Sequence, residues 1–188
     1  MRAIRYLMFL LLTVPLWAQS GAQLDMNLHG LEGKADEVVS VNLEGESLNE
    51  GRKLLAIRNT VSKPIKELVD GLKGIYVRRF WFGSKKAYDD EDVEPIHQQL
   101  QRPGWSTMIT VKVREKDEAV SVYSYTENEA LAGVTVLSSD PQEVTVINIV
   151  GAVNLEALAE LGRQMGIPAM KLATTQLPPK KALPAPKK

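Results

Sequence analysis

The stretch "VINIVGAVNLEALAELG", residues 146–162, has the strand–glycine–helix layout of a phosphate-binding turn. Such a turn needs more glycines, as in G-x-G-x-x-G, or a Lys-Ser/Thr pair, so that backbone N–H groups can close on the phosphate. Gly151 is followed by Ala152, Val153 and Asn154, and neither pattern is present. Asn154 suits a helix cap, and Glu156 suits the positive end of a helix. Gly151 therefore reads as the point where the chain leaves a sheet.

The run "KKAYDDEDVEPIH" gathers Asp89, Asp90, Asp92, Glu94 and His97, residue types that bind cations. The calcium-loop pattern, with its central glycine and terminal glutamate, is missing. The run reads as an acidic loop entering a helix, with Asp92 as cap and Pro95 in the first turn. His29 and His97 are the only histidines, they lie far apart, and no H-E-x-x-H occurs. "GWSTM" approaches a nucleophile elbow but lacks the second glycine, and Ser106 sits inside an alternating strand. No serine has a lysine three positions later. No catalytic, cofactor-binding or metal-binding set is assigned, and no cofactor is expected. "IYVRRFWFGSKK" mixes aromatic and basic residues, which makes Arg78, Arg79 and Trp81 candidates for an interaction surface. The bland alternative is a strand that packs Val77 or Trp81 inward and exposes its arginines.

The ends of the chain differ in kind from its middle. Arg2 and Arg5, the apolar run Leu7 to Val14, Pro15 and then small residues follow the three-part grammar of a secretory signal peptide. Its apolar core is too short for a bilayer, which needs about 20 residues. Cleavage after Ser20 or after Ala22 fits, giving a leader over residues 1–22, a single domain over 23–170 and a tail over 171–188. No later segment is long and apolar enough to span a membrane, so the mature chain is expected in the periplasm or the medium. Cysteine is absent, so a core must hold the fold without disulfides. The tail, "KLATTQLPPKKALPAPKK", is rich in proline and lysine and holds no acid, a composition that cannot bury enough surface to fold. Lys180, Lys181, Lys187 and Lys188 join the interaction candidates, with an envelope protein or an anionic surface as partner. All 23 acids lie between Asp25 and Glu160, so the domain is acidic although the net charge is zero. Nucleic-acid binding calls for the opposite balance.

Between these ends the chain alternates helix and strand early and strand only later. "LDMNLHGL" places Leu24, Leu28 and Leu31 at helical spacing. "EVVSVNLEG" and "GIYVRRFWF" read as strands. "SLNEGRKLLAIRN" opens with Ser47 and Glu50 in a capping-box arrangement, and "SKPIKELVDG" repeats the device with Ser62 as cap and Pro64 in the first turn. Four strands follow: "WSTMITVKV", "AVSVYSY", "LAGVTVL" and "EVTVINIV". Their connections are too short for crossover helices, so they form an antiparallel meander. In the first of them Trp105, Thr107, Ile109, Val111 and Val113 are expected on one face. The last strands are apolar on both sides and should be central. A final helix is expected from Leu155 to about Met165. The class is α+β, an antiparallel sheet of about six strands with helices packed mainly on one face.

In that order, "KADEVVSVNLEG", "LKGIYVRRFWF", "GWSTMITVKV" and "VSVYSYTENEALAGVTVLSSDPQEVTVINIVGAVNLEALAEL" resemble a family of exported bacterial proteins catalogued as domain-of-unknown-function family 4252. The resemblance covers most of residues 28 to 162 and carries no catalytic signature. It implies association with extracytoplasmic sigma-factor systems, and so with envelope-stress regulation. Some members look like lipoproteins, an anchoring that this chain lacks the cysteine to make. The function expected is that of a non-enzymatic envelope protein, a macromolecule-binding or signalling accessory module. The rival is a small periplasmic ligand carrier or hydrolase whose site forms only in three dimensions.

Overall fold

The computed structural model describes residues 20–57, 63–83 and 87–154, with the side chains of 54–57 and 63–65 left aside. The expected final helix and the lysine-rich tail lie outside the described residues, as does the leader up to residue 19. The elements are α1 (His29–Glu32), β1 (Glu37–Glu44), α2 (Gly45–Ile57), α3 (Lys63–Gly71), β2 (Leu72–Trp81), α4 (Asp90–Leu100), β3 (Trp105–Val113), β4 (Glu118–Glu127), β5 (Ala130–Asp140) and β6 (Glu143–Gly151). The strands form one six-stranded sheet in the order β1-β2-β6-β5-β4-β3, antiparallel at every pairing. This is the expected α+β class, with the late strands β5 and β6 at the centre.

The meander is made by tight turns. Asn128 and Glu129 join β4 to β5 with φ of 49° and 64°. Two successive positive values are the signature of the two-residue turn whose twist suits a hairpin. Pro141 and Gln142 join β5 to β6, and the Asp140 carboxylate accepts the N–H groups of Gln142 (2.7 Å) and Glu143 (2.9 Å). At the far end of β6, Gly151 has φ of 130°, and a Cβ there would lie 2.5 Å from the Gly71 carbonyl oxygen. The glycine lets two backbones meet where the chain leaves the sheet, the structural role read from the sequence.

Alternation along the central strands builds two cores. On the first face Tyr76, Phe80, Val144, Val146, Val150 and Leu137 meet Val93, Ile96 and Leu100 of α4 and Leu31 of α1. On the second face Val122, Val134, Val136 and Ile149 meet Leu48 of α2, Leu68 of α3 and Val153. The helices were expected mainly on one face. Instead they divide between the two, because the central strands are apolar on both sides and each face must be covered.

Three local readings change. Ala22, Leu24, Met26 and Leu28 are buried in strict alternation along an extended strap, and only His29–Glu32 is helical. The leucine spacing fits a helix, but the buried set repeats every two residues and lies across the first face of the sheet. α2 begins at Gly45, ahead of the expected cap. Ser47 reaches back, donating to the Glu44 carbonyl (2.8 Å) and accepting the Glu44 N–H (3.1 Å), while Glu50 pairs with Lys53. α4 begins at Asp90, not after Asp92. Asp92 is its third residue, and its carboxylate accepts the Asp89 N–H at 2.8 Å and the Lys34 ammonium at 2.6 Å. These two bonds fix an extra first turn, which places Pro95 in the second.

β3 departs from the expected single face. A bulge lies between Thr107 and Ile109, so Trp105 and Thr107 pair with Tyr125 and Tyr123, whereas Ile109 and Val111 pair with Val122 and Val120. Trp105 packs on the first core and Ile109 on the second. Met108, the extra residue, is exposed. One inserted residue exchanges the faces of everything after it.

Candidate functional site

α4 covers the first face over β6 and β5 but not as far as β3. A groove of about 630 Å³ remains between the helix and the strands. Val93, Glu94 and His97 form the helix wall, and Tyr88 and Asp90 stand at its head. Thr110, Ser121, Tyr123 and Leu137 form the floor. Lys112 on β3 and Arg114 in the turn after it stand on the far lip, near Asp117 and Glu118. The groove is therefore polar, with an acidic helix lip facing a strand lip of mixed charge. The bulge at Met108 produces this, because it turns Thr110 and Lys112 towards the helix side of the sheet.

Three of the groove's hydroxyls are engaged with neighbours. Thr110 and Ser121 lie 3.3 Å apart across β3 and β4. The Tyr88 hydroxyl donates to the Asp140 carbonyl at 2.7 Å, and its ring lies 5.0 Å from that of Phe82. Burial, and then the Asp140 carboxylate, push the Tyr88 phenol up to about 12. It stays neutral and serves as a wall. None of these bonds joins a hydroxyl to His97, so they do not assemble the relay that a hydrolase nucleophile needs. Among the described residues no group of three or more metal-ligating side chains converges.

A second concavity, about 410 Å³, lies over β1 and β2 beside the strap. There Tyr76 donates to Glu44 at 2.5 Å and Arg78 donates to Asn42 at 2.9 Å. Burial, then the Glu44 carboxylate, raise the Tyr76 phenol to about 12.

The interaction candidates on β2 are separated by the pleat. Arg78 points into the second concavity on the first face. Arg79 lies on the opposite face and pairs with Glu143 at 2.7 Å. Burial acts to raise the Glu143 carboxyl, but Arg79 and the Thr145 hydroxyl outweigh it and hold the group below its ordinary value. Trp81 shares the face of Arg79 and is 38% exposed. The large side chains that β2 buries are Leu72, Tyr76 and Phe80, not Val77 or Trp81. Lys180, Lys181, Lys187 and Lys188 lie outside the described residues. The acidic run, considered as a metal loop and read as a helix entry, does open α4, with Asp89 at the cap position and Asp92 as the third helical residue that bonds back to it.

Sequence reasoning passed over the buried amides. Asn148 is fully buried, accepts the Leu24 N–H (3.1 Å), and donates to the Ala22 carbonyl (2.9 Å) and to Thr135 (3.0 Å). Gln99 accepts the Asp25 N–H (2.7 Å) and donates to the Asp25 carbonyl (3.0 Å). Together they satisfy the strap's backbone as a neighbouring strand would. A signal was present: Asn148 is the one polar residue in the alternating set Val144, Val146, Asn148, Val150.

No helix among the described residues is long and apolar enough to cross a membrane. No curated protein matches the chain in sequence. Among solved structures, one match is a Pseudomonas aeruginosa protein of unknown function suggested to be a regulator. It is 13% identical, with 78% of this chain and 85% of that chain covered, at a TM-score of 0.30. A TM-score that low does not establish a shared fold. The model of one family, DUF4252, described as a domain of unknown function, matches residues 31–161, nearly the whole of the described sheet and its helices, and the chain belongs to that family.

Proposed function

We propose that the protein is an exported, non-enzymatic binding module that takes an extended segment of a partner polypeptide into the groove between α4 and β3. The observation that carries this reading is the position of β3. Among the described residues it is the last strand of the sheet, with no strand paired to its outer side, and that edge borders a groove with charged lips. A strand with a free edge can accept another strand through main-chain hydrogen bonds, while flanking side chains select the sequence. Lys112 and Arg114 favour acidic residues near that edge, and Asp90 and Glu94 favour basic ones across the groove. Export is supported by the leader-like first residues, and binding is favoured over hydrolysis because, among the described residues, no groove hydroxyl bonds to His97.

A photo-crosslinking residue placed at Thr110 in the mature protein tests this in an envelope extract. The expected result is one discrete protein adduct, abolished by Lys112→Glu with Arg114→Glu. A control probe at Val39, on the opposite edge strand β1, should give none. Adducts that ignore the charge reversal, or that form equally from Val39, would overturn the groove as the binding site. The small-molecule carrier would gain if the groove instead bound a metabolite and gave no adduct.

A further inference from the structure

Two cleavage positions satisfy the small-residue rule for leader removal. A cut after Ser20 has Ala18 and Ser20 at the small positions, and a cut after Ala22 has Ser20 and Ala22. The folded domain does not treat them alike. We infer that processing falls between Ser20 and Gly21, an inference that rests on the export reading above. The reaction is hydrolysis by an envelope leader peptidase. Water adds across the Ser20–Gly21 peptide bond, leaving a carboxylate on Ser20 and an ammonium on Gly21.

Ala22 is an integral part of the core. It is fully buried and belongs to the first-face cluster with Leu24 and Val150. Its carbonyl is the acceptor for the fully buried Asn148 amide, at 2.9 Å. Its methyl lies over Gly133 of β5, where a Cβ would come within 2.7 Å of it. A cut after Ala22 removes this residue, leaves an amide N–H of Asn148 without its acceptor, and opens a void above Gly133. It also places a charged ammonium on Gln23, which is only half-exposed and directly precedes the Leu24 N–H that bonds Asn148.

A cut after Ser20 costs far less. It removes the Ser20 carbonyl that accepts the Gln23 N–H at 2.8 Å and the Ser20 hydroxyl that accepts the Ala22 N–H at 3.4 Å. The first lies in a turn between part-exposed residues, where water can replace it, and the second, at 3.4 Å, is a long bond and the smaller loss. Gly21 is exposed, so its new ammonium stays hydrated. Gly21 also lies against the Tyr125 ring, where a Cβ would come within 2.2 Å of the phenol oxygen. The first residue of the mature chain thus remains a seated part of the strap.

The test is the intact mass of the protein recovered from cells that express the full chain, paired with a stability comparison. A chain beginning at Gly21 is expected in the envelope or medium. A chain beginning at Gln23 would overturn the inference and leave export standing, whereas an uncleaved chain would overturn export and the inference with it. Proteins released from a fusion with native starts at Gly21 and at Gln23 should differ in thermal midpoint by several degrees, the Gln23 form lower. In an Asn148→Ser background that gap should narrow, because the amide that needs Ala22 is gone. Equal midpoints for the two starts in the otherwise unaltered protein would remove the structural basis of the inference.

Discussion

Gln99 holds both polar groups of the Asp25 peptide backbone, accepting its N–H at 2.7 Å and donating to its carbonyl at 3.0 Å. One side chain on α4 thereby stands in for a neighbouring strand. Gln99→Ala should destabilise the protein by about 1 kcal/mol, the net worth of part-buried hydrogen bonds to the Asp25 backbone. Denaturant titration measures the loss. Hydrogen exchange should show faster exchange at Asp25 and Leu24 than in the distant β3–β4 hairpin. Uniform acceleration across the whole sheet would mean that Gln99 supports the core generally.

Asp92 gives stability a dependence on pH. The Asp89 N–H, and then the Lys34 ammonium, hold its carboxyl below the ordinary value of 3.8. A carboxyl depressed in the folded state adds stability that is fully present above the unfolded value and lost as pH falls through the folded one. Asp92→Asn should therefore lower stability at pH 7 and flatten the loss on acidification below about pH 4. Melts from pH 7 down to pH 2 check it. Parallel curves for the two proteins would contradict it.

Gly151 and Gly45 separate close contact from backbone preference. Gly151 has φ of 130° and no room for a Cβ, whereas Gly45 has φ of 52° and nothing within 4 Å of a built Cβ. Gly45→Ala should cost about 1 kcal/mol, the left-handed penalty alone. Gly151→Ala adds steric overlap with the Gly71 carbonyl and should cost more, about 3 kcal/mol or above. Urea midpoints rank the two. Inorganic phosphate should stabilise neither the unaltered protein nor the variants.

The lysine tail is proposed to act through long-range charge on an anionic surface or an acidic partner. Deleting residues 171–188 should leave the thermal midpoint nearly unchanged and reduce co-sedimentation with anionic vesicles at low salt. The difference should fade as the screening length falls below about 10 Å. A much lower midpoint would show instead that the tail packs on the domain.

The strands were legible because each face must be covered, which writes a period of two into the residues. Their order in the meander was legible because the turns are too short for any other path. What escaped notice has a common cause. The strap carries Leu24 and Leu28, four residues apart, a spacing that satisfies two periods at once, and only the sheet beneath decides between them. The bulge at Met108 leaves alternation intact on either side while exchanging the faces. The groove draws its lining from α4, β3, β4 and β5, so its helix wall and its strand lip lie apart in sequence and meet only in the fold. Asn148 and Gln99 bond to backbone, and backbone partners leave no trace in residue types.

The place of β6 between β2 and β5 governs when this fold can exist. β1 and β2 pair early in the chain, and β3 to β5 form their own meander, but no ladder joins the two groups until β6 arrives. The strap is in the same position: Ala22 waits for Asn148, 126 residues later. A growing chain that has made five strands holds two separate sheets with unpaired inner edges, each template for the wrong neighbour. Completion depends on the last strand closing contacts of long sequence separation, which slows folding. The ribosome must therefore have made β6 before the two halves can join, an interval in which the export proposed above would meet a chain not yet closed.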